Sequence, residues 1–272
     1  MSSEQSTPVN LSTALSSVVM NGNSGQFECF ADWAQGRTEF GGLSAAAALR
    51  AMRSKIDGER KLRSMLVSFV GPISIGLVDV QLQVLREGRS ASQVEVKLLQ
   101  EGTVRLVALA TFGQDRPSEI VNSTGLPEGT PAIEETQKLP FVEGLSPQFT
   151  SSVDFYYSAG QFPLSGGKGS QLGGYFRFTD IAGVASEELI VLLSDAWPPA
   201  KLQCFAKPAP ISTISWSIDL TAKAAAVEPG GFWYLMSEAE ASEFGYSQQR
   251  SRLYSPAGEL IALNQQTVAL FA

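Results

Sequence analysis

Apolar and polar residues alternate with period two along Val78–Leu85, Gln93–Gln100 and Val104–Phe112, which predicts three consecutive strands with one face on a core. Turn-forming clusters at Arg86-Glu87-Gly88 and Gln100-Glu101-Gly102 separate them, as in an antiparallel meander. A shorter strand pattern at Leu66–Val70 precedes these three, and a strand-like stretch surrounds Phe27–Phe30. Between those two, Gly41-Gly42 leads into an alanine-rich helix over Leu43–Ile56, with Leu49, Met52 and Ile56 at helical spacing.

The same order recurs further on. A strand-like run at Val153–Tyr157 is followed by a glycine-rich loop, a strand at Gly173–Phe178 and a helix from about Ile181 to Asp195. Four strands then follow, at Ile211–Leu220, Phe232–Glu240, Gln248–Tyr254 and Leu260–Phe271. Residues 113–150 separate the halves and hold five of the fourteen prolines, so they read as a crossover loop. The expected organisation is therefore residues 1–115, a linker over 116–150 and residues 151–272. A helix wrapped by an antiparallel sheet, twice over, is an α+β architecture built by internal duplication.

Composition narrows the chemistry. At 44% hydrophobic and 17% charged, the 272 residues describe an ordinary globular chain. The net charge of −7 argues against nucleic acid and against a basic membrane-surface helix. No basic residue precedes Arg37, so a signal-peptide n-region is not expected, and no apolar run is long enough to span a bilayer. A cytoplasmic location is the expectation. Cys29 and Cys204 stand in unrelated contexts and suggest neither a disulfide nor a metal site. The chain has no histidine, which removes imidazole-based triads, imidazole-ligated zinc and a histidine general base. Any catalysis must use carboxylates, amides, hydroxyls and backbone donors, and no cofactor is called for.

Several ordered segments carry a family resemblance. They are Phe40-Gly41-Gly42 opening the alanine-rich helix, Ser68-Phe69 before Pro72, and Val84–Ser92 after the second strand. In the second half they are Gly173–Phe178, Leu193-Ser194-Asp195-Ala196-Trp197-Pro198-Pro199, and Leu253–Ala262 with Gln266 downstream. Their ordered combination resembles the acyl-CoA thioesterase II family. That resemblance implies two tandem hot-dog domains and hydrolysis of acyl-CoA by an activated water. It also implies a trio of an Asp on the second helix, a Thr on the next strand and a Gln on the last strand. Matched residue by residue, these fall on Asp195, Thr213 and Gln266. Around Thr213 the chain departs from the pattern: relatives often carry Asp-His-Ser where Ser215-Trp216-Ser217 stands here.

Each of these residues has a plain alternative. Asp195 lies in the last turn of its helix, where a negative charge is unfavourable by roughly 0.3–1 kcal/mol, so it is either a solvated terminator or a functional group. Gln266 interrupts an apolar face shared by Leu260, Ala262, Val268 and Leu270, and a buried amide needs a partner. Thr213 continues through Ser215, Ser217 and Asp219, which reads equally well as a solvated face. Gly42 begins the first helix, where its N–H could meet an oxyanion, or it is a plain turn residue. Arg89 and Arg177 are candidate contacts for the coenzyme A phosphates, or surface ion pairs. The loop Ser165–Ser170 lacks the Walker spacing and reads as a flexible loop. The competing functions are a non-catalytic acyl-CoA-binding or regulatory protein and an enoyl-CoA hydratase, the latter disfavoured by the missing histidine. The outer sheet faces suggest a homodimer or homotetramer.

Overall fold

A computed structural model describes residues 8–226 and 230–271. In chain order the first half contains α1 (Leu11–Ser16), β1 (Val19–Asn21), β2 (Ser24–Cys29), a small hairpin of β3 (Ala34–Gln35) and β4 (Thr38–Glu39), and α2 (Gly41–Arg53). It continues with β5 (Lys61–Phe69), β6 (Gly76–Glu87), β7 (Ala91–Gln100) and β8 (Thr103–Gly113). The second half contains β9 (Gln137–Leu139), β10 (Val153–Ala159), β11 (Gln171–Phe178) and α3 (Ser186–Ala196). It ends with β12 (Ile211–Leu220), β13 (Trp233–Glu243), β14 (Tyr246–Tyr254) and β15 (Leu260–Leu270).

Among the described residues, thirteen strands join in one antiparallel sheet of order β1-β2-β6-β7-β8-β5-β12-β15-β14-β13-β11-β10-β9. Read outward from its middle, the first half runs β5-β8-β7-β6-β2 and the second runs β12-β15-β14-β13-β11. The two halves therefore share one topology, each a hot-dog sheet around its own helix. They are stitched edge to edge where β5 pairs with β12, from Ser68 opposite Ser215 to Ser64 opposite Asp219.

The period-two strands predicted from the sequence all form, because their apolar sets (Val94, Val96 and Leu98 on β7; Ala108, Ala110 and Phe112 on β8) are buried on the helix side. Some details differ from expectation. The first helix runs Gly41–Arg53 and so stops short of Ile56. The second helix begins at Ser186 rather than Ile181, because Asp180 Oδ1 accepts from the Ala182 N–H at 3.2 Å and Gly183 turns left-handed at φ +77°. The strand expected at Leu66 starts at Lys61, and the proline-rich stretch contains a short edge strand, β9, paired with β10.

Helix α2 is buried along nearly its whole length, and its run of alanines lets α3 approach closely. At the start of α3 the helices are locked by paired charges. Arg50 holds Glu188 through Nε at 2.7 Å and Nη2 at 2.6 Å, and Arg53 grips Glu187, which also accepts from the Leu62 N–H at 2.8 Å. Such two-pronged guanidinium–carboxylate geometry fixes orientation as well as charge.

Candidate active site

At the opposite ends of the same two helices the arrangement is different. Helix α3 stops at Ala196 because Trp197-Pro198-Pro199 cannot continue it, which leaves Asp195 in its last turn. The first turn of α2 lies against that carboxyl. No side chain caps α2; its Leu43 and Ser44 N–H groups bond back to the Phe40 carbonyl, while the Gly42 N–H faces Asp195 and favours its charged form. The charge that is misplaced on its own helix is thus well placed at the positive end of the neighbouring one. Glycine is required for this approach: a Cβ on Gly41 would stand 2.9 Å from Asp195 Oδ2 and 3.2 Å from the Phe69 ring.

The other carboxylate oxygen belongs to β15. Gln266 donates from Nε2 to Asp195 Oδ1 at 2.9 Å, across a sequence gap that only the fold closes. Gln266 is buried on the helix-facing side of β15, as the apolar pattern around it predicts. Burial pushes the Asp195 carboxyl up from its ordinary value of 3.8 to about 7, with the Gln266 and Gly42 donors opposing the shift. The residue as a whole keeps partial exposure.

Thr213 arrives by a route the sequence alone hides. The β12 register slips between Thr213 and Ser215, leaving Ile214 as the extra residue. Thr213 therefore pairs with Val268, while Trp216 pairs with Gln266. Cross-strand partners share a face, so the bulge turns Thr213 to the helix side with Gln266, away from the solvated face of Ser215, Ser217 and Asp219. Its hydroxyl makes no hydrogen bond to Asp195 or Gln266 among the described residues.

The two arginines stand elsewhere. Arg177 donates to Asp154 Oδ2 at 3.2 Å and lies over the Phe232 ring at 4.4 Å, on the exposed side of β11. Arg89 is exposed in the turn between β6 and β7. The loop Ser165–Ser170 is tied down: Gly167 N–H and Ser165 Oγ donate to the Gln203 carbonyl at 2.9 and 3.1 Å.

Buried polar residues that the sequence alone does not single out include Gln249 and Glu39. Gln249 on β14 donates to Gln266 Oε1 at 2.6 Å and accepts from the Ala200 N–H at 3.0 Å. Its signal was period two, which places Ser247, Gln249 and Ser251 on the core face with Leu253. Glu39 is buried before α2, accepts from Ser44 Oγ at 2.5 Å, and burial pushes it up from 4.5 to about 7.

The duplication explains why one half carries the polar set. Counted from the residue that precedes each helix, Asp195 is tenth after Ala185, and tenth after Phe40 comes Arg50. Arg50 is committed to Glu188, and β8 presents Ala108, Ala110 and Phe112 where β15 presents Asn264 and Gln266. Among the described residues no cluster of three His, Cys, Asp or Glu could hold a metal. No described helix is long and apolar enough to cross a membrane. A groove of about 500 Å³, bounded by Leu66, Leu109, Ser217 and Thr267, lies across the β5–β12 seam and does not touch Asp195.

Comparison with known proteins agrees with this architecture. Residues 31–113 match the family model of the acyl-CoA thioesterase N-terminal domain, and residues 127–270 match that of the C-terminal domain. No curated protein matches the chain. A solved hot-dog protein of unknown function from Alicyclobacillus acidocaldarius is similar at 19% identity and TM-score 0.84, over 97% of this chain and 99% of that one. An acyl-CoA thioesterase II from Mycobacterium marinum is similar at 14% identity and TM-score 0.75, over 95% and 97%. The tesB protein of Mycobacterium avium subs paratuberculosis is similar at 16% identity and TM-score 0.74, over 97% and 100%.

Proposed function

Because this chain belongs to the acyl-CoA thioesterase family, we propose that it hydrolyses acyl-CoA to the free acid and coenzyme A through a water activated at Asp195. One observation carries the reading: a carboxyl with its pKa near 7, held between the Gln266 amide and the N-terminus of α2. A base poised near neutrality takes a proton efficiently while staying ionised often enough to act.

The chemistry is undemanding because a thioester has weak carbonyl resonance and a good leaving group. Asp195 accepts a proton from water as its oxygen bonds to the carbonyl carbon. The tetrahedral intermediate then collapses, the C–S bond breaks, and the departing sulfur takes up the proton. Gln266 spends one N–H on Asp195 and keeps a second for the water or the thioester oxygen. Thr213, turned to the same face by the β12 bulge, supplies a hydroxyl to the water. The N–H groups at the head of α2 supply positive potential for the oxyanion. Arg89 and Arg177 enter no step of this scheme.

The test is release of free thiol from a panel of acyl-CoAs. Turnover is expected, with a loss in kcat of at least about 10²-fold in Asp195→Asn, as for removal of a catalytic base. Unchanged turnover in that variant removes Asp195 from the reaction. Tight binding of acyl-CoA without turnover favours the non-catalytic reading.

A further inference from the structure

The buried amide of Gln249 has no part in the scheme above, yet it touches a group that does. It bridges two fixed points. At one end the Ala200 N–H donates to Gln249 Oε1 at 3.0 Å. At the other, Gln249 Nε2 donates to Gln266 Oε1 at 2.6 Å, and Gln266 Nε2 donates to Asp195 Oδ1 at 2.9 Å. Both glutamines are nearly fully buried, at 4% and 7% exposure, so water is a poor substitute for these partners.

The two ends of this chain dictate its direction. A backbone N–H can only donate and an ionised carboxylate can only accept. Every link between them must therefore run from Ala200 towards Asp195. If Gln266 turned over, its oxygen would face the carboxylate and its Nε2 would face a donor. Taken alone, a side-chain amide has no such preference. Gln249 imposes it, and Ala200 imposes it on Gln249. Ala200 is itself fixed, because its carbonyl accepts from Gln203 Nε2 at 2.8 Å and Gln203 Oε1 accepts from the Gln161 N–H at 2.9 Å.

We propose that Gln249 is a positioning residue for the reaction, which fixes the Gln266 amide so that its Nε2 faces Asp195 and its second N–H faces the water. The inference rests on the reading of Asp195 as the base. It adds that the base depends on a residue one strand beyond the trio. Around Asp195 the polar neighbours are the Gln266 amide from β15 and the Gly42 N–H from α2, and no charged side chain bears on it among the described residues. A change in its titration on altering Gln249 must therefore pass through Gln266.

The test is a double-mutant cycle of Gln249→Met, Gln266→Met and the pair, run on acyl-CoA turnover. Gln249→Met is expected to lower kcat roughly 10- to 100-fold with KM within about 3-fold, and to move the acid limb of the pH profile upward. In the Gln266→Met background the same change is expected to have almost no effect on kcat, since its only route is gone. A general packing defect would persist there and would overturn the proposal. Gln249→Glu is the second variant. It keeps an acceptor for the Ala200 N–H and, above the pH at which its carboxyl loses its proton, withholds the donor from Gln266, and the same loss is expected there. A kcat within about 2-fold of the parent in both variants overturns the proposal.

The ¹³C titration of the Asp195 carboxyl, read without substrate, is expected to rise by about one pH unit in Gln249→Met, and an unmoved titration overturns the relay. This readout separates the two ideas. If Asp195→Asn keeps full turnover the base reading fails, while the titration still decides whether Gln249 orients Gln266.

Discussion

Two buried carboxyls with raised pKa values make stability fall as pH rises, and the amount follows from the structure. Asp195 is raised from 3.8 to about 7 and Glu39 from 4.5 to about 7, both chiefly by burial. In the unfolded chain each loses its proton near pH 4. In the folded chain each keeps it until about pH 7. Between those limits the folded state binds more protons, so raising the pH favours unfolding. The stabilising contribution is complete below about pH 4 and is lost through about pH 7. Summing the two titrations at 1.36 kcal/mol per unit gives a loss of about 2 kcal/mol for each group between about pH 5.5 and about pH 8.5. Partial exposure of Asp195 as a whole residue makes its share an upper bound. Asp115 and Asp154, held low by Lys61, Arg63, Lys138 and Arg177, titrate below this window.

For a chain of this size, about 4 kcal/mol corresponds to roughly 8 °C in Tm. Thermal unfolding followed by circular dichroism at the two pH values reads it directly. Asp195→Asn and Glu39→Gln are each expected to remove about half of the drop, and the double variant nearly all of it. The slope is the informative quantity, because an amide at either position also changes hydrogen bonding by about 1–3 kcal/mol in a pH-independent way. A parent Tm that is flat or rises across this window would refute the reasoning. So would single variants that keep the full slope.

Other outcomes follow from the same contacts. In the parent enzyme kcat/KM is expected to fall tenfold per pH unit below about pH 7, as Asp195 takes up its proton, and a profile flat to about pH 5 would contradict this. Gly41→Ala places a methyl 2.9 Å from Asp195 Oδ2 and is expected to lower kcat roughly 10- to 100-fold while costing about 1–3 kcal/mol of stability, measured by thiol release and urea unfolding. Arg50→Ala strands the buried Glu188 carboxylate and is expected to cost about 3–5 kcal/mol in urea unfolding, with turnover per folded molecule unchanged. Thr213→Val is expected to lower kcat while Thr213→Ser restores it. Equal kcat in all three proteins would exclude the hydroxyl.

The parts of the fold visible in the sequence are those with a strong period. Val94, Val96 and Leu98 announce β7 because alternate burial is a local property of a pleated strand. Gln266 was conspicuous for the same reason, an amide in an apolar row. What stayed hidden depends on contacts between distant segments. The side on which Thr213 falls is set by one extra residue at Ile214, and a bulge leaves no periodic mark. The start of α3 is decided by Gly183 and Asp180, which hold a turn where apolar spacing suggested helix. Asp195 looked misplaced because its compensating dipole belongs to a helix about 150 residues earlier. Gln249 has meaning only once β14 and β15 are in register, with Gln249 opposite Gln266.

The β5–β12 seam has a further consequence. Asp195 and Gln266 come from one repeat and the Gly42 donor from the other, so neither repeat alone holds the whole arrangement. Two identical repeats meeting in this way would make a pair of equivalent sites related by a two-fold rotation. Once both lie in a single polypeptide, each end of the helix pair is free to evolve separately. Here one end holds the carboxyl–amide arrangement, and the other has become a bolt of arginines and glutamates. Fusion has traded a second carboxyl–amide site for a clamp that holds the remaining one in register.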